Sequence, residues 1–146
     1  MKRIVSLALV LVLTMTCVLA FASCGMERKI AGTYEMTSIS GTITQNGVTT
    51  ELNEGLYEYY RLILDKDGTV KIEAKGSDTG VQMEEEGTWE WDKEDEVLKI
   101  KTKPEGSPVS VTEEMEWEDD TITYTVNQSA QGVTFTFTLV LEKVEK

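Results

Sequence analysis

The chain has 146 residues, 26 of them acidic against 14 basic, for a formal net charge of −12. That balance argues against a nucleic-acid partner, which rewards Lys and Arg set against phosphates, and against broad contact with anionic headgroups. With no histidine in the chain, every triad or metal site built on imidazole is excluded.

The first 24 residues read as an address. Lys2 and Arg3 precede Ile4 to Ala22, an uncharged stretch rich in Leu, Val and Ala, which has the form of a secretory signal. It ends in Phe21-Ala22-Ser23-Cys24-Gly25, which resembles the lipobox of bacterial lipoproteins, with Phe21 where that family usually carries Leu. The resemblance implies cleavage before Cys24, acyl chains on that cysteine, and a lipid-anchored place on the extracytoplasmic face of a bacterial membrane. The competing readings are an uncleaved helix, since the run could just span a bilayer of ~30 Å, and an ordinary secretory signal. The expected organisation is a signal peptide over 1–23, lipidated Cys24 with a short tether over 24–29, and one β domain over 30–146. The tether from Gly25 to Lys29 would reach at most ~18 Å if extended. Processing leaves 12 basic and all 26 acidic residues, a net charge of −14. Cys17 departs with the signal, and acylated Cys24 is no thiol, so thiol catalysis and disulfides are excluded too.

After residue 23 the chain holds 17 Thr, 10 Val and 7 Ile but only 3 Ala, a balance that favours pleated strands. In chain order, strands are expected at Gly32 to Ile39 and at Leu56 to Leu64, the latter with Leu56, Tyr60, Leu62 and Leu64 on one side. Between them lie a weak hairpin at Asn46-Gly47 and a short helical turn within Thr50 to Gly55. Asp65-Lys66-Asp67-Gly68 turns into Thr69 to Ala74, whose Val70, Ile72 and Ala74 share a face. Gly87 to Trp91, Val97 to Lys101, Val111 to Trp117 and Thr121 to Val126 follow, with Lys103 to Pro108 as loop and Glu118-Asp119-Asp120 as a turn. The clearest strand is Val133 to Leu141, apolar at every odd position and Thr at the even ones until Val140. The prediction is an all-β, antiparallel up-and-down meander of about eight strands curling into a barrel or half-barrel, with a two-sheet sandwich as the alternative.

Gly32-Thr33-Tyr34-Glu35, the Asp67-Gly68 hairpin and Gly87-Thr88-Trp89-Glu90 together resemble the small lipocalin-like domains of bacterial lipoproteins, over most of residues 30 to 144. The resemblance implies a barrel whose opening aromatic, here Tyr34, closes the base beneath a basic residue near the last strand. Lys143 shares the odd parity of Phe135 to Leu141, which would set it over Tyr34 in a cation–π contact of ~0.5 to 2 kcal/mol. True lipocalins are longer, and their other motifs are missing here.

Catalytic constellations are mostly absent. No serine has lysine three places on, and Asp78-Thr79-Gly80 occurs once, after Lys75-Gly76-Ser77, where a turn is the better reading than half of an aspartic-protease pair. Asp65 opens a possible calcium loop, but Gly76 stands where an EF-hand needs its twelfth-position acid. The runs Glu84-Glu85-Glu86, Glu94-Asp95-Glu96 and Glu116 to Asp120 read as charges that solvate loops and protect strand edges. No enzyme activity, cofactor or resident metal is expected, and the chain is expected to be a monomer.

Aromatics carry the remaining hypothesis. Trp89 and Trp91 lie on one face of one strand and, with Tyr60, Phe135 and Phe137, could line a site for a small apolar ligand. They could instead fill the core, the preferred reading, because an eight-stranded barrel has only just enough interior to be filled by side chains or to hold one small ligand. Two functions remain: a membrane-anchored binding module for a small apolar ligand, or an envelope interaction or structural protein whose outer surface meets a protein or wall polymer, with the barrel as scaffold.

Overall fold

The computed structural model describes residues 25–144. The signal peptide over 1–23 and the lipid attachment at Cys24 lie outside the described residues. Residues 25–30 are helical, so the tether rises about 8 Å rather than the ~18 Å of an extended segment. Compact contacts divide the chain between Ile30 and Ala31.

Nine strands follow: β1 (Gly32–Gln45), β2 (Val48–Leu52), β3 (Tyr57–Leu64), β4 (Thr69–Gly76), β5 (Gln82–Asp92), β6 (Val97–Thr102), β7 (Val111–Glu118), β8 (Thr121–Ala130) and β9 (Val133–Lys143). All neighbours are antiparallel, and β1 pairs with β9, closing an eight-stranded barrel to which β2 adds an extra strand beside β1. That pairing decides for the closed barrel over the half-barrel and the sandwich. The tight turns follow from residues that tolerate positive φ: Asn46-Gly47 (51° and 77°), Asp119-Asp120 (46° and 62°) and Gln131-Gly132 (52° and 80°), the backbone that matches strand twist in two-residue hairpins.

The wall is not equally closed along its height. The β1–β9 ladder runs from Tyr34↔Lys143 to Gln45↔Val133, and β8–β9 runs the whole length of β8. By contrast, β1 meets β3 only over Gly32 to Glu35, and β7 meets β8 only over Glu116 to Glu118. Both short ladders lie at the same end. From that closed end two sheets diverge, β2-β1-β9-β8 and β3-β4-β5-β6-β7, leaving a mouth between them at the other end.

The core sits toward the closed end, where Leu62, Leu64, Val70, Leu98, Ile100, Ile122 and Leu141 are almost fully buried, each contributing roughly 1.5 to 3 kcal/mol of transfer free energy. Outside, Arg61 bridges Glu35 (2.7 Å) and Glu73 (3.6 Å), and Lys71 bridges Glu73 (2.9 Å) and Glu84 (3.1 Å), a charge ladder across four strands.

Several elements differ from the sequence expectation. β1 continues to Gln45 because an extra residue, Thr37, bulges out between Met36↔Leu141 and Ser38↔Val140; period two breaks there, so the run looked finished at Ile39. Leu56 is not in the strand: it ends a 3-10 turn (Glu54–Leu56) and is 37% exposed. Glu84-Glu85-Glu86 is no loop but the middle of β5, and Glu116 to Glu118 ends β7.

Candidate functional site

At the closed end, aromatic side chains seal the barrel. Trp117 on β7 donates its indole N–H to the Tyr34 hydroxyl of β1 across the interior (2.9 Å), and Trp91 meets Trp117 edge to face at 6.2 Å. Lys143 Nζ lies 5.8 Å from the Tyr34 ring centroid and 3.5 Å from Asp120 Oδ1. Its register makes this contact natural, since Tyr34 and Lys143 are Cα partners. Burial raises the Tyr34 phenol to about 12, with the Trp117 hydrogen bond pulling back and Asp120 adding to the rise. Trp89 is 5% exposed, and its indole N–H is satisfied by the Asp65 carbonyl (2.8 Å). Trp89 and Trp91 thus sit in the plug.

Phe135 and Phe137 lie elsewhere, on the inner face of the diverging β2-β1-β9-β8 sheet. Phe137 pairs with Gly41 and Val126, and its ring meets Tyr124 edge to face at 5.9 Å; Phe135 pairs with Ile43 and Gln128. The five candidate aromatics therefore do not form one cluster: two belong to the plug, two to the mouth, and Tyr60 lies between, edge to face with Tyr57 at 5.8 Å. Gly41 permits the close approach of β1 to β9. A Cβ there would come within 2.1 Å of the Thr136 carbonyl oxygen, with φ at +145°.

The mouth is rimmed by apolar side chains that the barrel leaves in water: Val48 (67% exposed), Leu56 (37%), Met83 (43%), Val111 (43%) and Phe135 (36%). By register, Val48, Met83, Val111 and Phe135 belong to the inner face, since the partner chain runs Val48↔Gln45↔Val133, Ala74↔Met83, Thr102↔Val111 and Ile43↔Phe135. Scattered apolar residues are ordinary, but a ring of them around one opening marks a contact surface.

Polar groups lie one inward-facing step below this rim. Glu85 pairs with buried Ile72 and Glu113 with buried Ile100, so both carboxylates point to the interior and both are half-buried. Tyr124 on the opposite sheet hydrogen-bonds Glu113; burial and this bond hold its phenol well above its ordinary value. Tyr60 is likewise raised, by burial first and then by Glu113, Tyr57 and Glu85. Sequence reasoning missed Glu85, Glu113 and Tyr124. Counting back by twos from Trp89 to Glu85, and from Met115 to Glu113, would have placed both carboxylates inward.

A depression of about 1090 Å³ lies instead outside the closed end, beside Gly32, Asp65, Asp120 and Lys143. Its walls mix charged residues, among them the Lys143–Asp120 pair, with Ile63, Leu64 and Val144. Among the described residues, no three acidic side chains come together closely enough to hold a metal ion. Comparison with models of known families, with curated proteins and with solved structures finds no match, so the geometry of the mouth carries the functional argument.

Proposed function

We propose that this chain is a membrane-anchored extracytoplasmic lipoprotein, tethered through Cys24, whose lipocalin-like barrel binds a small, partly apolar ligand in the mouth between its two diverging sheets. The observation that carries the reading is the ring of exposed apolar side chains around an opening with a convergent set of polar groups beneath it, the usual composition of a binding site at a barrel mouth. It shifts the ligand wall from Trp89 and Trp91 to Phe135, Phe137 and the residues facing them. Two or more acyl chains, each contributing ~0.8 kcal/mol per buried methylene, would make the anchoring lasting, so the domain would act where it is attached.

Native mass spectrometry of the full chain purified from its producing cell tests both halves. The expected spectrum shows an acylated N-terminal Cys24 and a bound small molecule. That molecule should be lost in Phe135→Asp and kept in Thr136→Asp, its neighbour on the opposite face. An unmodified N-terminus refutes the anchor; a spectrum empty of ligand, or loss only with Thr136→Asp, refutes the mouth and points to the outer surface.

A further inference from the structure

We infer that two copies of this chain associate through the open edge of β8, residues 124–130 of one copy pairing antiparallel with the same residues of the other about a two-fold axis at Asn127. The barrel is then a dimer in place of the monomer expected from sequence. This contact does not depend on the reading of the mouth as a ligand site.

The edge is left open by the way the wall diverges. β8 pairs with β9 along its whole length, but on its other side β7 reaches only Thr121, Ile122 and Thr123. Lys143 donates its backbone N–H to the Asp120 carbonyl (2.9 Å). By the alternation of an antiparallel ladder, the even-numbered residues of β8 therefore turn their backbone groups to β9 and the odd-numbered ones turn theirs away. Thr121 and Thr123 meet β7, whereas Thr125, Asn127 and Ser129 face no strand among the described residues. Asn127, Gln128, Ser129 and Ala130 are all exposed, on both faces of the sheet. A row of unpaired backbone groups open to water is a template for one more strand.

Charge decides which strand fills it. None of the 26 acidic residues falls within 36–50 or 121–141, and these two stretches pair with one another to make most of the β2-β1-β9-β8 sheet. The other open edges are guarded by acid: Glu51 on β2, Glu58 on β3, and Glu113 and Glu114 on β7. Like charges set opposite one another across a new ladder repel. Two domains of net charge −14 after processing approach closely where both are neutral, and β8 offers such an edge.

The edge also complements itself. Centring the pair on Asn127 sets Thr125 opposite Ser129 of the second copy and Asn127 opposite Asn127, so that every open backbone group is used in about six hydrogen bonds. On the outer face this extends hydroxyl pairs that the sheet already makes, Thr125–Thr138 (3.3 Å) and Ser129–Thr134 (2.9 Å). On the inner face Tyr124 falls opposite the small Ala130, and Val126 opposite Gln128. A two-fold contact of this kind closes at two copies. Because the paired strands run in opposite directions, the closed ends point away from one another, about 50 Å apart. Copies on facing surfaces, or free to turn, can pair in this way; neighbours fixed upright on one membrane cannot.

The test is analytical ultracentrifugation of the full chain in detergent micelles, over concentrations from about 1 µM to 1 mM. The expected result is a reversible monomer–dimer equilibrium with no larger species. Asn127→Asp and Asn127→Lys each set two like charges on the axis and should weaken the dimer by about tenfold or more. An equimolar mixture of the two variants should restore it, because opposite charges now meet, and a misfolded variant could not be rescued in this way. Thr42→Asp lies on the same outer face but two strands in from the edge, through Thr136 and Asn127, and should leave the dimer unchanged. A chain that stays monomeric throughout overturns the inference. So does a Thr42→Asp as damaging as Asn127→Asp, which places the contact on the face of the sheet, and so does a mixture no tighter than either variant alone, which removes Asn127 from the axis.

Discussion

Replacing Trp89 with alanine separates a plug residue from a ligand wall. Its side chain is 5% exposed, its N–H is bonded to the Asp65 carbonyl at 2.8 Å, and its backbone N–H reaches the Gly68 carbonyl at 2.8 Å, so the indole also fastens the β3–β4 turn. Truncating a buried Trp of this kind costs about 3 to 5 kcal/mol in lost transfer energy and residual cavity. The lost N–H leaves the Asp65 carbonyl beside water, which limits that bond's share to about 1 kcal/mol. With a urea m-value near 2 kcal/mol/M, the unfolding midpoint should drop by roughly 1.5 to 2.5 M. A domain of this size has a total stability of only about 5 to 15 kcal/mol, so the variant should be markedly weakened. The assay is urea unfolding of Trp89→Ala followed by far-ultraviolet circular dichroism, beside hexanol affinity measured well below the midpoint. A loss under about 1 kcal/mol, far below the cost of a buried Trp, together with weakened hexanol binding, would show that Trp89 lines an accessible cavity and would refute the assignment of the plug.

Three further outcomes follow from the same structure. Gly41→Ala should destabilise by 2 kcal/mol or roughly more, because the new Cβ would meet the Thr136 carbonyl oxygen and the Phe137 Cα at 2.1 and 2.5 Å with φ at +145°; an unchanged melting temperature would contradict the closeness of β1 and β9. Tyr34, Tyr60 and Tyr124 all have phenols raised above 10 in the folded state. The folded chain therefore holds protons that the unfolded chain gives up, and the stability they contribute is complete below pH ~10 and is lost as pH rises through the folded values, at up to ~1.4 kcal/mol per pH unit for each tyrosine; urea midpoints that stay flat above pH ~10 would contradict this. Arg61→Gln should cost less than about 1 kcal/mol and lose even that in high salt, because the Glu35 and Glu73 pairs are partly exposed; a loss of several kcal/mol, independent of salt, would show the outer charge ladder to be structural.

The fold was legible where one face is buried and the other wet. β9 shows its alternation from Val133 to Leu141, and its parity alone carried Lys143 to Tyr34, which the register pairs. Where the pattern is interrupted, the sequence reads short. The bulge at Thr37 shifts the phase of β1, and β2 has little core to reveal it, with Val48 to Glu51 exposed. The site was hidden for a different reason. A glutamate in a strand is normally counted as an outward residue, and Glu85 sits among Glu84 and Glu86, which do face out; only the register with Ile72 shows that the middle one turns in. Closure was equally invisible locally, because it rests on the β1–β9 and β1–β3 ladders, which pair residues distant in sequence.

Amide hydrogen exchange of the full chain in nanodiscs, with and without saturating 1-hexanol, tests the central claim most directly, because it reports where on the barrel a ligand acts. Binding in the mouth predicts added protection confined to residues 82–85, 111–113, 124–128 and 133–137, with the turns at 65–68 and 119–120 unchanged. Protection centred on those closed-end turns, or on the outer face around Thr44 and Thr49, would contradict it.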